Sequence, residues 1–385
     1  MIRVERDLNT FEAQIGVFNW RNLKRVDWLL LATVVLLAVV GMIVLSSGSD
    51  SQQNHYTQSR NLLVGLAAAI LIVCIDYRAL ISLAPVTLGV VAVMLLLVKV
   101  IGVEAKGGQH WLPILPGLRL QPSELSKLAL CYALAWYLSR IGSRIENIFY
   151  FLLCFAISGL VIGLVLIQGD LGTAITIIPL AFVMPYAAGC KKRYLAGLLV
   201  LGTIGAVTLW VVDEKLELGL IKEYQRGRIY SFMDPESDPR GDGFQIIHAK
   251  LAVGSGQMWG KGYKQGTHTE YGYVLEQNTD FIFARLAEEF GFAGGVGVLG
   301  LFAVFLLRGL SLARSCPDPA GSLLALGCVT VLAVHIIVNI AIVLHLMPIT
   351  GIPLPFISYG GSFYLTTMMC VGAILSVHVR KGLFD

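Results

Sequence analysis

Asn278-Thr279-Asp280-Phe281-Ile282-Phe283-Ala284-Arg285-Leu286-Ala287-Glu288-Glu289-Phe290-Gly291 stands where a long polar stretch gives way to a long apolar one. The pattern predicts the end of a loop and the start of a membrane helix, with Asp280 where water meets membrane. A helix rising about 1.5 Å per residue would carry Glu288 about 12 Å along its axis from Asp280, well into a hydrocarbon layer. Ionisable groups at that depth, Arg285, Glu288 and Glu289, are costly enough to point to a functional site. The same residues also fit ordinary helix chemistry. Thr279 suits an N-cap, an acid at 280 gains from the helix dipole, and Arg285 and Glu289 stand one turn apart, where they neutralise each other.

The composition decides the class. Of 385 residues, 56% are apolar and 14% are charged. A soluble domain carries about 25% charged residues, so the chain reads as an all-α integral membrane protein with many spans. Its net charge of +4 is spread along the chain, which argues against nucleic acid as a partner. The first 26 residues are polar, with Arg3, Arg6, Arg21, Lys24 and Arg25, and show no cleavable signal pattern. The seven cysteines show neither a disulfide framework nor metal-ligand spacing.

Ten apolar segments follow, about 27–47, 61–75, 79–101, 121–138, 148–167, 171–189, 194–212, 281–307, 323–346 and 363–379, each near the roughly 20 residues that cross a bilayer. Lys and Arg gather in alternate short connections: Arg25, Arg78, Arg140 and Arg144, Lys191 to Arg193, Arg308 and Arg314, Arg380 and Lys381. Both termini are therefore expected in the cytoplasm, and the long loop of about 213–279 between spans 7 and 8 outside. The segment 347–362 is rich in Pro and Gly yet apolar. It predicts non-helical backbone at membrane depth, tolerated only where it is buried in protein or lines a watery cavity. No internal repeat appears, and residues 1–385 read as a single polytopic domain.

Three further clusters carry candidate chemistry. Gln121-Pro122-Ser123-Glu124-Leu125-Ser126-Lys127 opens the fourth span with an acid and a base on one face: either a neutralised pair or the lining of an outer cavity. Gln168-Gly169-Asp170-Leu171-Gly172-Thr173 is a tight turn in which Asp170 suits an N-cap. In the long loop, Arg226 and Lys261 are donor types that hold phosphate, and the glycines of 254–262 let backbone approach a ligand.

In this order the motifs resemble the SEDS family of shape, elongation, division and sporulation proteins, the RodA, FtsW and SpoVE proteins, over nearly the whole chain. The resemblance rests on Lys106-Gly107-Gly108 with Trp111, the Gln121 to Lys127 run, Asp170-Leu171-Gly172-Thr173-Ala174, Tyr224-Gln225-Arg226, Asp234-Pro235, Gly254-Ser255-Gly256, Thr279-Asp280-Phe281-Ile282-Phe283-Ala284, Gly351-Ile352-Pro353-Leu354-Pro355-Phe356 and Ser358-Tyr359-Gly360-Gly361-Ser362. The short tail after the last span is more like RodA. Gly169 replaces the family's usual proline, Gln257 a usual glycine, and Val274-Leu275-Glu276 departs from the familiar Leu-Pro-Glu. None of these removes a carboxylate, so altered turn geometry is expected and not lost function.

The resemblance implies a peptidoglycan glycosyltransferase that polymerises lipid II at the outer face of the bacterial cytoplasmic membrane during elongation, working with a class B penicillin-binding protein. Asp280 matches the family's essential aspartate and would act as the general base. Trp111, Gln121, Glu124, Lys127, Arg226, Lys261 and Ser358 would bind substrate, and a divalent cation, Mg2+ or Mn2+, would share the pyrophosphate charge. An apolar groove would take the polyprenyl tails. Two other functions stay open on the residues: a lipid II flippase, for which buried Glu124, Lys127, Glu288 and Glu289 would serve a transport path, and a non-catalytic scaffold for the transpeptidase.

Overall fold

The computed structural model describes residues 25–48, 51–105, 108–115, 118–216, 219, 222–239 and 241–381. Arg3, Arg6, Arg21, Lys24 and the Lys106-Gly107 pair lie outside them. Each of the ten expected segments is helical. In chain order they are α1 (Trp28–Ser46), α2 (Ser51–Cys74), a short α3 (Tyr77–Ser82) with α4 (Ala84–Ile101), α5 (Pro122–Ile141), α6 (Ile148–Ile167), α7 (Leu171–Ala187), α8 (Lys192–Leu216), α12 (Ile282–Arg314), α13 (Pro319–Val343) and α14 (Gly361–Val379).

Among the described residues, eight helices are long and apolar enough to cross a membrane, which makes this a multi-pass membrane protein. The other two differ for physical reasons. The α5 helix carries Glu124, Lys127 and Arg140, and α7 is a shorter apolar helix of 17 residues. Several boundaries also move. The second helix starts at Ser51, ten residues earlier than expected, and the third segment breaks at Leu83 beside Pro85.

Side-chain contacts sort the helix ends into two sets. In one, Arg308 grips Asp27 at 2.5 Å, Arg380 lies 3.6 Å from Asp76, and the Tyr77 hydroxyl donates to Asp318 at 2.8 Å. In the other, Ser46 meets Tyr263 at 2.8 Å, Gln58 donates to Ser358 O, and Gln121 and Ser123 donate to Asp170. The candidate residues fall in this second set. Inside, α14 packs on α2 and α13 packs on α5, α7 and α12.

The expectation of an all-α chain needs one correction. Three short strands, β1 (Val103–Ala105), β2 (Gly108–Leu115) and β3 (Leu118–Leu120), form an antiparallel sheet in the order β1-β2-β3. Trp111 pairs with Val103, and Leu112 with Leu120. Aromatic and branched residues between Gly108 and a Pro-Gly pair are a hairpin pattern, which a reading by membrane spans passes over. The expected long loop is also partly helical, with α9 (Glu223–Met233), α10 (Asp242–Ser255) and α11 (Thr267–Glu270).

The helix read from Asp280 onward begins later and is broken. It starts at Ile282 with Phe281 as N-cap, so Thr279 is not the cap; its hydroxyl donates to Glu276 instead. Gly291 has φ 66° and ψ −166°, which divides a short inner helix bearing Arg285, Glu288 and Glu289 from the long membrane helix. The glycine-rich segment 256–262 crosses this break. Lys261 N and Gly262 N donate to the carbonyls of Glu288 and Glu289, both at 3.0 Å, while Phe292 N and Ala293 N return bonds to Gln257 O and Met258 O. Gly260, at φ 82°, has no room for a side chain: a Cβ there would lie 2.1 Å from Glu289 O. Gly256 and Gly260 therefore let this segment approach the backbone of α12 closely.

Gly260→Ala should lower the unfolding midpoint in detergent by several degrees, corresponding to about 1–3 kcal/mol of strain. Gly254→Ala, where a Cβ would meet nothing within 4 Å, should not lower it. Thermal unfolding of the two purified variants checks the difference.

Candidate active site

Asp280 is buried, 8% exposed. A Cβ added at Gly351 would lie 3.7 Å from its Oδ2, so the carboxylate faces the Pro-Gly segment 347–362. The turn that carries it is held at three consecutive carbonyls. Tyr359 N donates to Asn278 O at 2.9 Å, Ser358 Oγ to Thr279 O at 2.6 Å, and Asn339 Nδ2 to Asp280 O at 2.8 Å. Ser358 Oγ also accepts from Leu354 N at 2.8 Å. Non-helical backbone in a membrane protein needs such partners, because no water replaces them.

Ser358, expected to bind substrate, is fully buried, and its hydroxyl serves two backbone groups, joining the 347–362 segment to the Asp280 turn.

The buried charges are closed pairs. Lys127 Nζ lies 2.8 Å from both carboxylate oxygens of Glu124 and 2.8 Å from His335 Nε2, with the Phe363 ring centroid 5.7 Å away. Arg285 donates to Glu289 at 3.3 Å and to Asn278 Oδ1 at 3.0 Å. Fully buried Glu288 accepts from Lys261 Nζ at 2.7 Å, His268 N at 2.9 Å, Thr269 N at 3.1 Å and Thr269 Oγ1 at 2.9 Å. One carboxylate thus pins the 261–269 stretch of the outer segment to the inner half of α12.

Neither cation expected to hold pyrophosphate is unpaired. Arg226 on α9 grips fully buried Asp213 of α8 at 2.5 Å, and Lys261 is paired with Glu288 and Thr267. Each would have to exchange partners to take a phosphate. Among the described residues, no group of three or more His, Cys, Asp or Glu side chains is arranged to hold a metal ion.

A second polar focus surrounds Asp170, which caps α7 through Thr173 N at 2.9 Å and also accepts from Gln121, Ser123 and the Thr173 hydroxyl. Half-buried Trp111 and His110 project from β2, and Gln121 N donates to Ser362 Oγ at the start of α14. Burial holds the His110 imidazole below its usual range, opposed by Asp170 and reinforced by Lys222. Sequence reasoning found Asp170 and Gln121 but missed His110, His335 and Asn339. The last two lie in an otherwise apolar helix, and their polar character is the only local signal.

Between α1, α2 and α14 runs an apolar cavity of about 320 Å³, lined by Leu31, Val35, Met42, Leu62, Leu66 and Met368, with Ser46 and His55 at the end nearer the candidate residues. Its walls suit an aliphatic chain.

Breaking one partner of a buried pair strands the other, at about 3–5 kcal/mol. Lys127→Met, which leaves Glu124 alone and His335 Nε2 without a donor, should therefore unfold at a clearly lower temperature than the wild type. Glu124→Leu with Lys127→Met should recover most of that loss, as thermal unfolding in detergent would register.

A family model for FtsW, RodA and SpoVE, described as cell cycle protein, matches residues 24–382. A probable peptidoglycan glycosyltransferase FtsW from Geobacter metallireducens is 34% identical over 94% of this chain and 98% of its own length. Peptidoglycan glycosyltransferase MrdB of Escherichia coli K12 is 32% identical over 93% of this chain and 94% of its own. A solved chain from a study of how a peptidoglycan synthase complex coordinates polymerization and crosslinking superposes with a TM-score of 0.80 at 32% identity, covering 92% of this chain and 98% of that one. With the family model spanning nearly all of the sequence and the Asp280 turn, the Pro-Gly segment and the Glu124–Lys127 pair built into one fold, this chain belongs to the FtsW/RodA/SpoVE family.

Proposed function

We propose that the chain is a peptidoglycan glycosyltransferase that joins lipid II units into glycan strands at the outer face of the bacterial cytoplasmic membrane. The observation that carries the reading is Asp280, a carboxylate on a turn fixed at three successive carbonyls. Such preorganisation suits a general base, which must meet the proton it removes within hydrogen-bond reach. In the reaction, Asp280 takes the proton of the acceptor sugar's 4-hydroxyl. That oxygen attacks the anomeric carbon of the donor, the bond from that carbon to the pyrophosphate oxygen breaks, and the configuration inverts. Pyrophosphate leaves readily, so one carboxylate suffices where glycosidases use two.

Arg226 and Lys261 remain candidates for the leaving group's charge, with partner exchange as the cost. Trp111, Gln121, Glu124 and Lys127 are assigned to the walls of the substrate site. A divalent cation, Mg2+ or Mn2+, would supply charge stabilisation when bound with substrate, and no step here depends on it. The apolar cavity between α1, α2 and α14 is where we place part of a polyprenyl tail.

The outer orientation is supported by charge. Arg78, Arg308 and Arg380 belong to the helix ends opposite the candidate residues, and cytoplasmic connections collect Lys and Arg. A class B penicillin-binding protein is the proposed partner, supported by the similarity to the chain from the synthase complex. Elongation is assigned on the resemblance to RodA. The FtsW and MrdB relatives, at 34% and 32%, do not separate division from elongation, so the partner recovered with the chain decides it. For a flippase, as for substrate binding, Glu124, Lys127, Glu288 and Glu289 would have to leave their internal pairs.

Asp280→Asn should leave unfolding and membrane insertion unchanged and reduce polymerisation of purified precursor by about 100-fold to 10,000-fold. An enzyme that keeps most of its activity would return Asp280 to a structural role. Thr279→Cys should react with a membrane-impermeant maleimide in outward-facing but not in inverted vesicles, since a polymerase needs access from one side only. Comparable labelling from the cytoplasmic side would favour alternating access. The seven native cysteines are all buried and give a low background.

A further inference from the structure

The α13 helix carries two buried polar side chains one turn apart, His335 and Asn339, of which Asn339 reaches the Asp280 turn and His335 the carbonyl of Pro353. Asn339 Nδ2 donates to Asp280 O at 2.8 Å and to Ile352 O at 2.7 Å. The reverse amide orientation would set an oxygen against two carbonyls, so both hydrogens are committed as found. The other end of the amide, Oδ1, is buried with no protein partner, so the side chain is used as a pair of donors. His335 Nδ1 lies 3.3 Å from Pro353 O, which can only accept, so that nitrogen bears the hydrogen. Its Nε2 then accepts from the Lys127 ammonium at 2.8 Å, which Glu124 holds in turn.

We infer that His335 and Asn339 are positioning residues: from one rigid helix they fix the consecutive carbonyls of Ile352 and Pro353 and the carbonyl of Asp280, setting the distance between base and acceptor. Besides their place in the wall of the substrate site, Glu124 and Lys127 in this arrangement also fix the tautomer and ring orientation of His335. The inference rests on the reading of Asp280 as general base. A base displaced by about 1 Å loses on the order of 100-fold in rate, so loosening this clamp lowers kcat much more than it weakens binding.

The test uses the full-length protein in detergent and reads backbone amide exchange together with polymerisation kinetics. Asn339→Leu, or Asn339→Asp should the first variant not yield monodisperse protein, is expected to speed exchange about tenfold or more in residues 276–281 and 349–354. The same variant should lower kcat about 100-fold, with KM for lipid-linked precursor within about threefold of wild type. His335→Gln, which keeps a donor for Pro353 and an acceptor for Lys127, should retain more than about a tenth of kcat, and His335→Leu should fall with Asn339→Leu. Unchanged exchange in both peptides overturns the clamp itself. Faster exchange with unchanged kcat leaves the clamp in place and overturns the part given to Asp280, so the two failures are distinguishable. A His335→Gln enzyme as impaired as His335→Leu removes His335 from the inference.

Discussion

Non-helical backbone inside a membrane protein needs hydrogen-bond partners wherever it is buried away from water, and several backbone groups of residues 347–362 find them in side chains, of which Ser358 and Asn339 also hold the Asp280 turn. Ser358, Asn339 and His335 reach the carbonyls of Thr279, Asp280, Ile352 and Pro353, while Gln58 reaches Ser358 O from α2. The demand for satisfied carbonyls and the demand for a fixed base are thereby met by the same bonds. A Pro-Gly segment placed elsewhere at membrane depth would carry the same cost and yield no site.

The buried ion pairs extend this logic outward. Removing two charges from water costs more than their attraction returns unless further hydrogen bonds complete their shells. Glu288 shows such completion, with an ammonium, two backbone N–H groups and a threonine hydroxyl around one carboxylate. Its partners come from the outer segment, so the pair ties 261–269 to the inner half of α12 just above the Gly291 break. Glu124 and Lys127 lead inward instead, through His335 to the carbonyl of Pro353. Lys261 and Glu288 thus meet across 27 residues of sequence, Glu124 and Lys127 within one helical turn.

Much of the fold was legible because apolar segments of membrane length are the strongest pattern a chain can carry, and all ten expected segments are helical. Asp170 as an N-cap was equally legible, since that role depends on residues within one turn. What escaped was long-range. Asn339 acts 59 residues from Asp280, and His335 acts 208 residues from Lys127, separations that no local period encodes. The glycines of 256–262 signal close approach but not to what; only the fold reveals the Gly291 break beneath them. Ser358 belongs to a motif that suggested ligand contact, yet its hydroxyl is spent on Leu354 N and Thr279 O. Arg226 and Lys261 likewise advertise phosphate, and their pairing with Asp213 and Glu288 depends on neighbours 13 and 27 residues away.

If this arrangement is built for chemistry and not for passage, it must work where there are no two sides to pass between. The direct measurement is product formation from purified lipid-linked disaccharide precursor in detergent micelles, with the chain alone and with a class B penicillin-binding protein, resolved as glycan length on a gel. The account predicts a ladder of polymer. Monodisperse protein that yields no polymer with its partner, while moving fluorescent precursor across proteoliposomes, would contradict it.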